Sequence, residues 1–414
     1  MNRRNDDPIY RRKTNLSKDE WYQFNYELNT LLENELSTVS SDECPDYVAD
    51  KLTKSYQDLL DKFMPLQKLS RKEKSFLNKP WINSEIKAFI RKKDYLHKKA
   101  RTTKNPSHIE EHRIFRNLLS KLKQDAHDEY YRKKIAESGE EKAKTWRLIN
   151  EIVNRNKGKK EPIKHLVDEE GVKTESDEDN SNCLNRHFST IAKNMASEFS
   201  NNSDAIEYLK HVSTQASVFL SSTDSAELLD ILKNLDPKKS CGFDSISNRV
   251  LKETSFIIAP YLVRLFNICF EKAIFPKCFK TAKVTPLFKG GDKHDPNSYR
   301  PISLLPCLGK VLEKIIATRL IDFFDKHNLF SSCQFGFRKH YNTELAIADI
   351  YEKLLSNLDN RLTSCAIFLD LAKAFDTVNH SILLKKTGKI WHTRKSFAID
   401  RILLKSTTAV CMYQ

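Results

Sequence analysis

Two groups of residues in this chain are placed where they could do chemistry: an aspartate that ends an apolar run, and a dense block of lysine and arginine. The aspartate is Asp370, which follows Cys365-Ala-Ile-Phe-Leu369 and precedes Leu371-Ala-Lys-Ala-Phe375-Asp376. Five apolar residues after the turn-like Asn357-Leu-Asp-Asn360 predict a short strand buried on both faces. A carboxylate at the carboxyl end of such a strand suits a divalent-metal ligand. The alternative is an ordinary strand end, where the first acidic residue marks the surface. Asp376 reads as a hydrogen-bonding or capping residue.

The cationic block is more concentrated than the overall composition implies. Residues 51–160 hold 30 Lys and Arg against 14 Asp and Glu, an excess of +16 in a chain whose net charge is +15. The remainder of the chain is therefore close to neutral. A basic segment joined to a near-neutral body is the electrostatic pattern of a nucleic-acid binder. Lys92, Lys93, Lys98, Lys99 and Arg101 are candidate phosphate contacts, with no motif for reading bases. The plainer alternative is a set of solvated helices kept soluble by their lysines.

The elements that must position these residues are mainly helical. Trp21, Phe24, Leu28, Leu31 and Leu32 fit one helix face, and Tyr56, Leu59, Leu60 and Phe63 fit another, with 37–45 between them as a linker. Ile82, Ile86, Phe89 and Ile90 stripe a basic helix. Ser107-x-x-Glu110 after Pro106 predicts a capping box, opening a helix along Phe115, Leu118, Leu119, Leu122 and Ala126. A third basic helix is predicted from Trp146 through Ile149 and Val153. Seven acidic residues between Asp168 and Asp179 read as a flexible boundary loop. A short amphipathic helix follows at Leu184, Phe188 and Ile191.

Beyond Asp224 the pattern alternates more. Leu228, Leu229, Leu232 and Leu235 make a helix stopping at Asp236-Pro237, and 261–273 is strongly apolar helix. Residues 282–288 have strand character and lead into Lys289-Gly-Gly-Asp292, a hairpin-type turn. Residues 299–306 are extended, because each proline biases its predecessor away from helix. Helices are predicted over 309–326 and 343–358.

The chain has no run of eighteen apolar residues and no signal-peptide core, so neither a membrane span nor secretion is expected. Its nine cysteines fall singly without Cys-x-x-Cys or Cys/His spacing, which argues for reduced thiols in an intracellular protein, nuclear or cytoplasmic, and against zinc or disulfides.

Read in this order, residues 224–386 resemble the reverse transcriptase of non-LTR (LINE-type, jockey-like) retrotransposons. The stretches carrying the resemblance are Lys238-Lys-Ser-Cys-Gly-Phe-Asp244, Phe275-Pro-Lys-Cys-Phe-Lys280, Thr285-Pro-Leu-Phe-Lys-Gly-Gly-Asp292 and Ser298-Tyr-Arg-Pro-Ile-Ser-Leu-Leu305. Leu312-Glu-Lys-Ile-Ile316, Gln334-Phe-Gly-Phe-Arg338 and Phe368-Leu-Asp-Leu-Ala-Lys-Ala-Phe-Asp376 complete it. Each is weak alone, and their order and spacing make the signal. Residues 79–200 also resemble the basic helical segment that precedes the polymerase in those proteins, from Lys79-Pro-Trp-Ile82 to Leu184-Asn-Arg-His-Phe188. Phe243 and Phe279 stand where proline and tryptophan are usual.

The resemblance implies an α+β, mainly helical fold, an incomplete right-hand polymerase with fingers and the start of a palm behind a basic helical region. It implies DNA synthesis on an RNA template from a DNA primer, using dNTPs and Mg²⁺ (or Mn²⁺). Asp370 would be the first catalytic carboxylate and metal ligand. Lys289 and Arg300 would meet the nucleotide triphosphate, Phe375 would pack against its sugar, and Arg338 and Lys339 would grip the template. The family's Pro-Gln-Gly segment and its Tyr/Phe-x-Asp-Asp strand are absent, and residues 387–414 are expected to have lost the family's pattern. The expected order is a helical leader over 1–78, a basic helical linker over 79–160, an acidic loop, short helix and linker over 161–223, a partial reverse transcriptase domain over 224–386, and a divergent tail over 387–414. Such a fragment is expected to be inactive alone. The other reading is a non-catalytic remnant that binds nucleic acid through 51–160.

Overall fold

The computed structural model describes residues 10–12, 16–36, 42–68, 81–138, 145–146, 148–149, 163, 165–168, 170–197, 219–371, 374, 378, 382–383 and 409–411. In chain order the elements are β1 (Tyr10–Arg12), α1 (Lys18–Leu36), α2 (Pro45–Phe63), β2 (Leu66–Lys68), α3 (Ser84–Thr103), α4 (Pro106–Ser138) and α5 (Asp177–Ser197). They continue with α6 (Ser225–Lys233), α7 (Asn248–Glu253), α8 (Ser255–Lys272), α9 (Lys277–Lys280), β3 (Ala282–Phe288), β4 (Tyr299–Leu304), α10 (Cys307–Lys326), α11 (Thr343–Asp359) and β5 (Ala409–Cys411). The fold is mainly helical with two small sheets. No helix among the described residues is long and apolar enough to cross a membrane. The chain divides into two compact units, one of residues 1–14 and 65–162, the other of 15–64 and 163–414.

The first unit pairs β1 with β2 antiparallel, Tyr10 opposite Lys68, and contains the α3–α4 hairpin. Helix α3 starts where the Asn83 side chain accepts from the Ile86 amide at 2.8 Å. It ends at Lys104, a left-handed residue whose amide donates to the Ala100 carbonyl. Asn105 then caps α4, its side chain accepting from the Ser107 amide at 2.9 Å. The predicted Ser107–Glu110 box does not form. Pro106 already occupies the first helical position, so Ser107 lies inside the helix, and Glu110 instead binds Arg113 through both oxygens. Ile86, Leu96 and Ala100 are buried, as are Leu119 and Tyr131, and the Phe89 and Phe115 rings stack at 5.6 Å. The third basic helix predicted from Trp146 lies mostly outside the described residues.

The main core of the second unit is shared by helices from both ends of the chain. Phe24, Leu28 and Leu32 of α1 and Leu52, Tyr56 and Leu60 of α2 share it with Leu228, Leu262, Phe266, Leu312 and Ile315. The two leader helices thus pack into the same core as the helices around α8. Two polar contacts reinforce this: Arg264 donates to the Leu36 carbonyl at 3.0 Å, and the Lys277 amide donates to Asp46 at 2.7 Å. Across the core, Arg319 on α10 holds both Glu227 oxygens on α6, and this pairing keeps the Glu227 carboxyl below its ordinary range.

The acidic segment is not a flexible loop over its described residues. Val167 bridges Lys173 around Gly171, and Asp168 accepts from the amides of Glu170 and Val172. Ser176 and Asp179 exchange side chain-to-amide hydrogen bonds, a capping box for α5. Three of the acidic residues form the first turn of α5, where negative charge favours the helix dipole. Leu166 and Leu184 are buried with Val284 and Tyr299 in a second small core.

Strand β3 pairs antiparallel with β4 and parallel with β5, in the order β4-β3-β5. A segment of the divergent tail, Ala409–Cys411, therefore supplies the third strand. Lys289-Gly-Gly-Asp292 is not a tight hairpin turn. It opens a longer connection that closes through a 3-10 turn at Pro296–Ser298, with Gly290 and Gly291 at positive φ.

Candidate nucleotide and nucleic-acid contact surfaces

Facing residues on antiparallel strands point to the same side of the sheet. The register sets Phe288 opposite Tyr299 and Leu287 opposite Arg300, and the Lys289 amide donates to the Ser298 carbonyl at 2.9 Å. One side of the hairpin thus carries Ala282, Val284 and Tyr299, all buried. The other carries Lys283, Thr285, Leu287 and Lys289 against Leu304, Ile302 and Arg300. Lys289 and Arg300 are exposed diagonal neighbours on that open side. Lys283 shares it, which the sequence reading missed; its position two pleats from Leu287 within a predicted strand was the available signal.

Arg338 is half-buried in the loop before α11. Its guanidinium lies over the Tyr341 ring at 4.2 Å and the Phe330 ring at 5.0 Å and donates to the Ser331 carbonyl. Those contacts hold the loop and leave the neighbouring Lys339 exposed.

The strand predicted at Cys365–Leu369 is not present. Residues 362–371 are irregular, and Ile367, Phe368 and Leu369 are 81%, 86% and 89% exposed. A strand exists only through its hydrogen-bonding neighbours, and among the described residues none lies beside this run. Asp370 is accordingly exposed, without a hydrogen-bond or ion-pair partner among the described residues. No three His, Cys, Asp or Glu side chains there gather as metal donors. The donor set that a divalent ion requires is not assembled by these residues. Phe375 lies outside the described residues. Helix α11, which leads toward this segment, buries none of its side chains.

In the other unit, the predicted cations divide by their partners. Lys93 pairs with Asp94 at 2.6 Å, Lys99 approaches Glu111 at 3.6 Å across the hairpin, and Lys92 lies 5.2 Å from the Phe115 ring centre. Lys98 and Arg101 are exposed without an ion pair among the described residues.

Comparison with known proteins bears on the same segments. Residues 291–410 match the family described as Reverse transcriptase (RNA-dependent DNA polymerase). The match runs into the tail, where the family's pattern was expected to be lost. The chain is 30% identical over 239 residues to a probable RNA-directed DNA polymerase from transposon BS of Drosophila melanogaster, covering 56% of this chain and 26% of that protein. It is 31% identical over 194 residues to the RNA-directed DNA polymerase from mobile element jockey of the same species, covering 47% and 21%. The jockey polymerase of Drosophila funebris is 34% identical over 165 residues, covering 40% and 18%. The similarity to LINE-type reverse transcriptases is thus one of sequence over about half of the chain. The chain spans about a quarter of the length of the first of these curated relatives.

Proposed function

We propose that this chain is part of the RNA-directed DNA polymerase of a non-LTR retrotransposon and contributes contacts to the incoming nucleotide and to the nucleic acid. The observation that carries this reading is the β3–β4 register, which sets Lys289 and Arg300 side by side on an open strand face within or beside the family match. A planar guanidinium meets phosphate oxygens in pairs, and a lysine two residues along the neighbouring strand adds a movable point charge. Together they form a clamp suited to a triphosphate. Lys283 extends the cationic side toward the backbone of a template or primer. Reverse transcriptases use Mg²⁺ or Mn²⁺ to join the primer hydroxyl to the nucleotide. In this chain Asp370 is the donor that the resemblance assigns, and Arg338 and Lys339 form the template-side loop. The α3–α4 hairpin, through Lys98 and Arg101, supplies further phosphate contact.

Binding of a fluorescent dNTP to the full chain tests this. Arg300→Ala should weaken binding about tenfold, the loss of a charged hydrogen-bonding group, and Lys289→Ala should weaken it less. Unchanged affinity in both variants would overturn the assignment of the clamp. Any primer extension on an RNA template should vanish in Asp370→Asn, and extension that persists would remove Asp370 from the site.

A further inference from the structure

The α3–α4 hairpin carries a solvent-open cavity of about 360 Å³, lined by Lys93, His97, His112, Arg116, Leu119, Ser120 and Lys123. Helical repeat builds it: Lys93 and His97 are one turn apart on α3, and His112, Arg116, Ser120 and Lys123 follow one face of α4. The two imidazoles lie with ring centres 5.0 Å apart and planes tilted by 48°. Lys93 is balanced by Asp94, whereas Arg116 and Lys123 have no ion pair among the described residues. A pocket wall with this much uncompensated positive charge repels a metal cation and attracts an anion. Apart from the imidazoles it has no aromatic ring on which a base could stack.

We propose that this cavity is a seat for one backbone phosphate of a nucleic acid, clamped by Arg116, Lys123 and Lys93 and gated by protonation of His112. The proposal rests on the reading of the hairpin as a nucleic-acid contact and adds to it a defined site with a proton-linked affinity. Burial first, and then the charges of His97, Arg116 and Lys93, hold His112 below its ordinary value in the free protein. The carboxylate facing this group of charges is Asp94, with Glu111 engaged by Lys99 nearby. A phosphate entering the cavity offsets the cations, so the imidazole gains a proton as it binds. Affinity therefore rises as pH falls through the histidine range.

The experiment measures binding of a fluorescein-labelled single-stranded RNA to the full chain by anisotropy, at several salt concentrations and from about pH 8 to about pH 6. Three proteins are compared with the native one: Arg116→Ala/Lys123→Ala, His112→Asn, and the equal-charge control Lys121→Ala/Arg132→Ala on the outside of α4. Circular dichroism checks that each is folded. The native chain should bind at least about threefold tighter at the lower pH. His112→Asn should remove most of that response. The pocket variant should bind about tenfold more weakly and lower the log–log salt slope by about 0.7, one phosphate contact on a single strand. The control should keep the native pH response. Equal losses in the pocket and control variants, with an unchanged pH response, would overturn the site while leaving diffuse charge-driven binding intact. No loss in either would overturn the nucleic-acid reading of the hairpin itself. Competition by inorganic phosphate alone, with RNA affinity indifferent to the pocket variant, would assign the cavity to free phosphate and overturn the proposal.

Discussion

Tyr56 is completely buried on α2, and its hydroxyl lies 2.6 Å from Thr254 Oγ1, at the start of α8. The Thr254 hydroxyl donates its single proton to the Val250 carbonyl at 2.9 Å, so Tyr56 must be the donor in the contact between them. Burial pushes the Tyr56 phenol far up, keeping it a neutral donor at all ordinary pH. The direction of donation makes the two deletions unequal. Tyr56→Phe removes the donor and leaves an oxygen already engaged through its own proton, a loss of about 1 kcal/mol. Thr254→Val keeps the steric outline but strands a buried hydroxyl proton, at about 2 kcal/mol. In the double variant no group is stranded, so its loss should fall about 1 kcal/mol short of the sum. Hydrogen–deuterium exchange of the α2 and α8 amides reads these losses in the full chain, without requiring the two units to unfold together. Because the contact joins α2 to α8, both helices should lose protection together in each variant. Additive losses, or an α2 that loosens while α8 is unaffected, would refute the conclusion that the leader helices share the core of the body.

Two further outcomes are expected. Asp244 is almost fully buried with a carboxyl pushed up to about 6 by burial, against which the hydrogen bond from the Ile246 amide is a smaller opposing effect. Ionised Asp244 therefore opposes folding, so stability should fall as pH rises from about 4 to about 6 and level off above, by on the order of 3 kcal/mol; Asp244→Asn should flatten that limb of a thermal-melting pH series. Gly242 has no room for a side chain, since a Cβ would come 2.7 Å from the Pro306 nitrogen and 2.9 Å from the Leu305 carbonyl carbon. Backbone cannot yield as a side-chain tip does, so Gly242→Ala should cost about 3 kcal/mol in denaturant unfolding, and a neutral effect would show that this loop does not pack as described.

Local signals in the sequence were sufficient where an element is defined by its own residues. The faces of α1, α2 and α10, and the strand character of 282–288, follow from apolar spacing, because a helix or a half-buried strand records its environment in its period. The relationship to reverse transcriptases was also legible, since it depends on ordered short stretches and not on contacts. What the sequence could not determine were features created by a partner remote in the chain. The run Cys365–Leu369 has strand composition but no neighbouring edge among the described residues, so composition alone did not make it a strand. Ala409–Cys411, with no pattern of its own, is a strand because β3 offers it an edge. The Ser107 capping box gave way to Asn105 because the helix starts two residues earlier. Tertiary structure likewise decided that α1 and α2 join a core formed some two hundred residues later, through contacts such as Tyr56–Thr254 at a separation of 198. It also decided that Lys283, Lys289 and Arg300 share a face, because strand register, not sequence distance, selects which side chains meet.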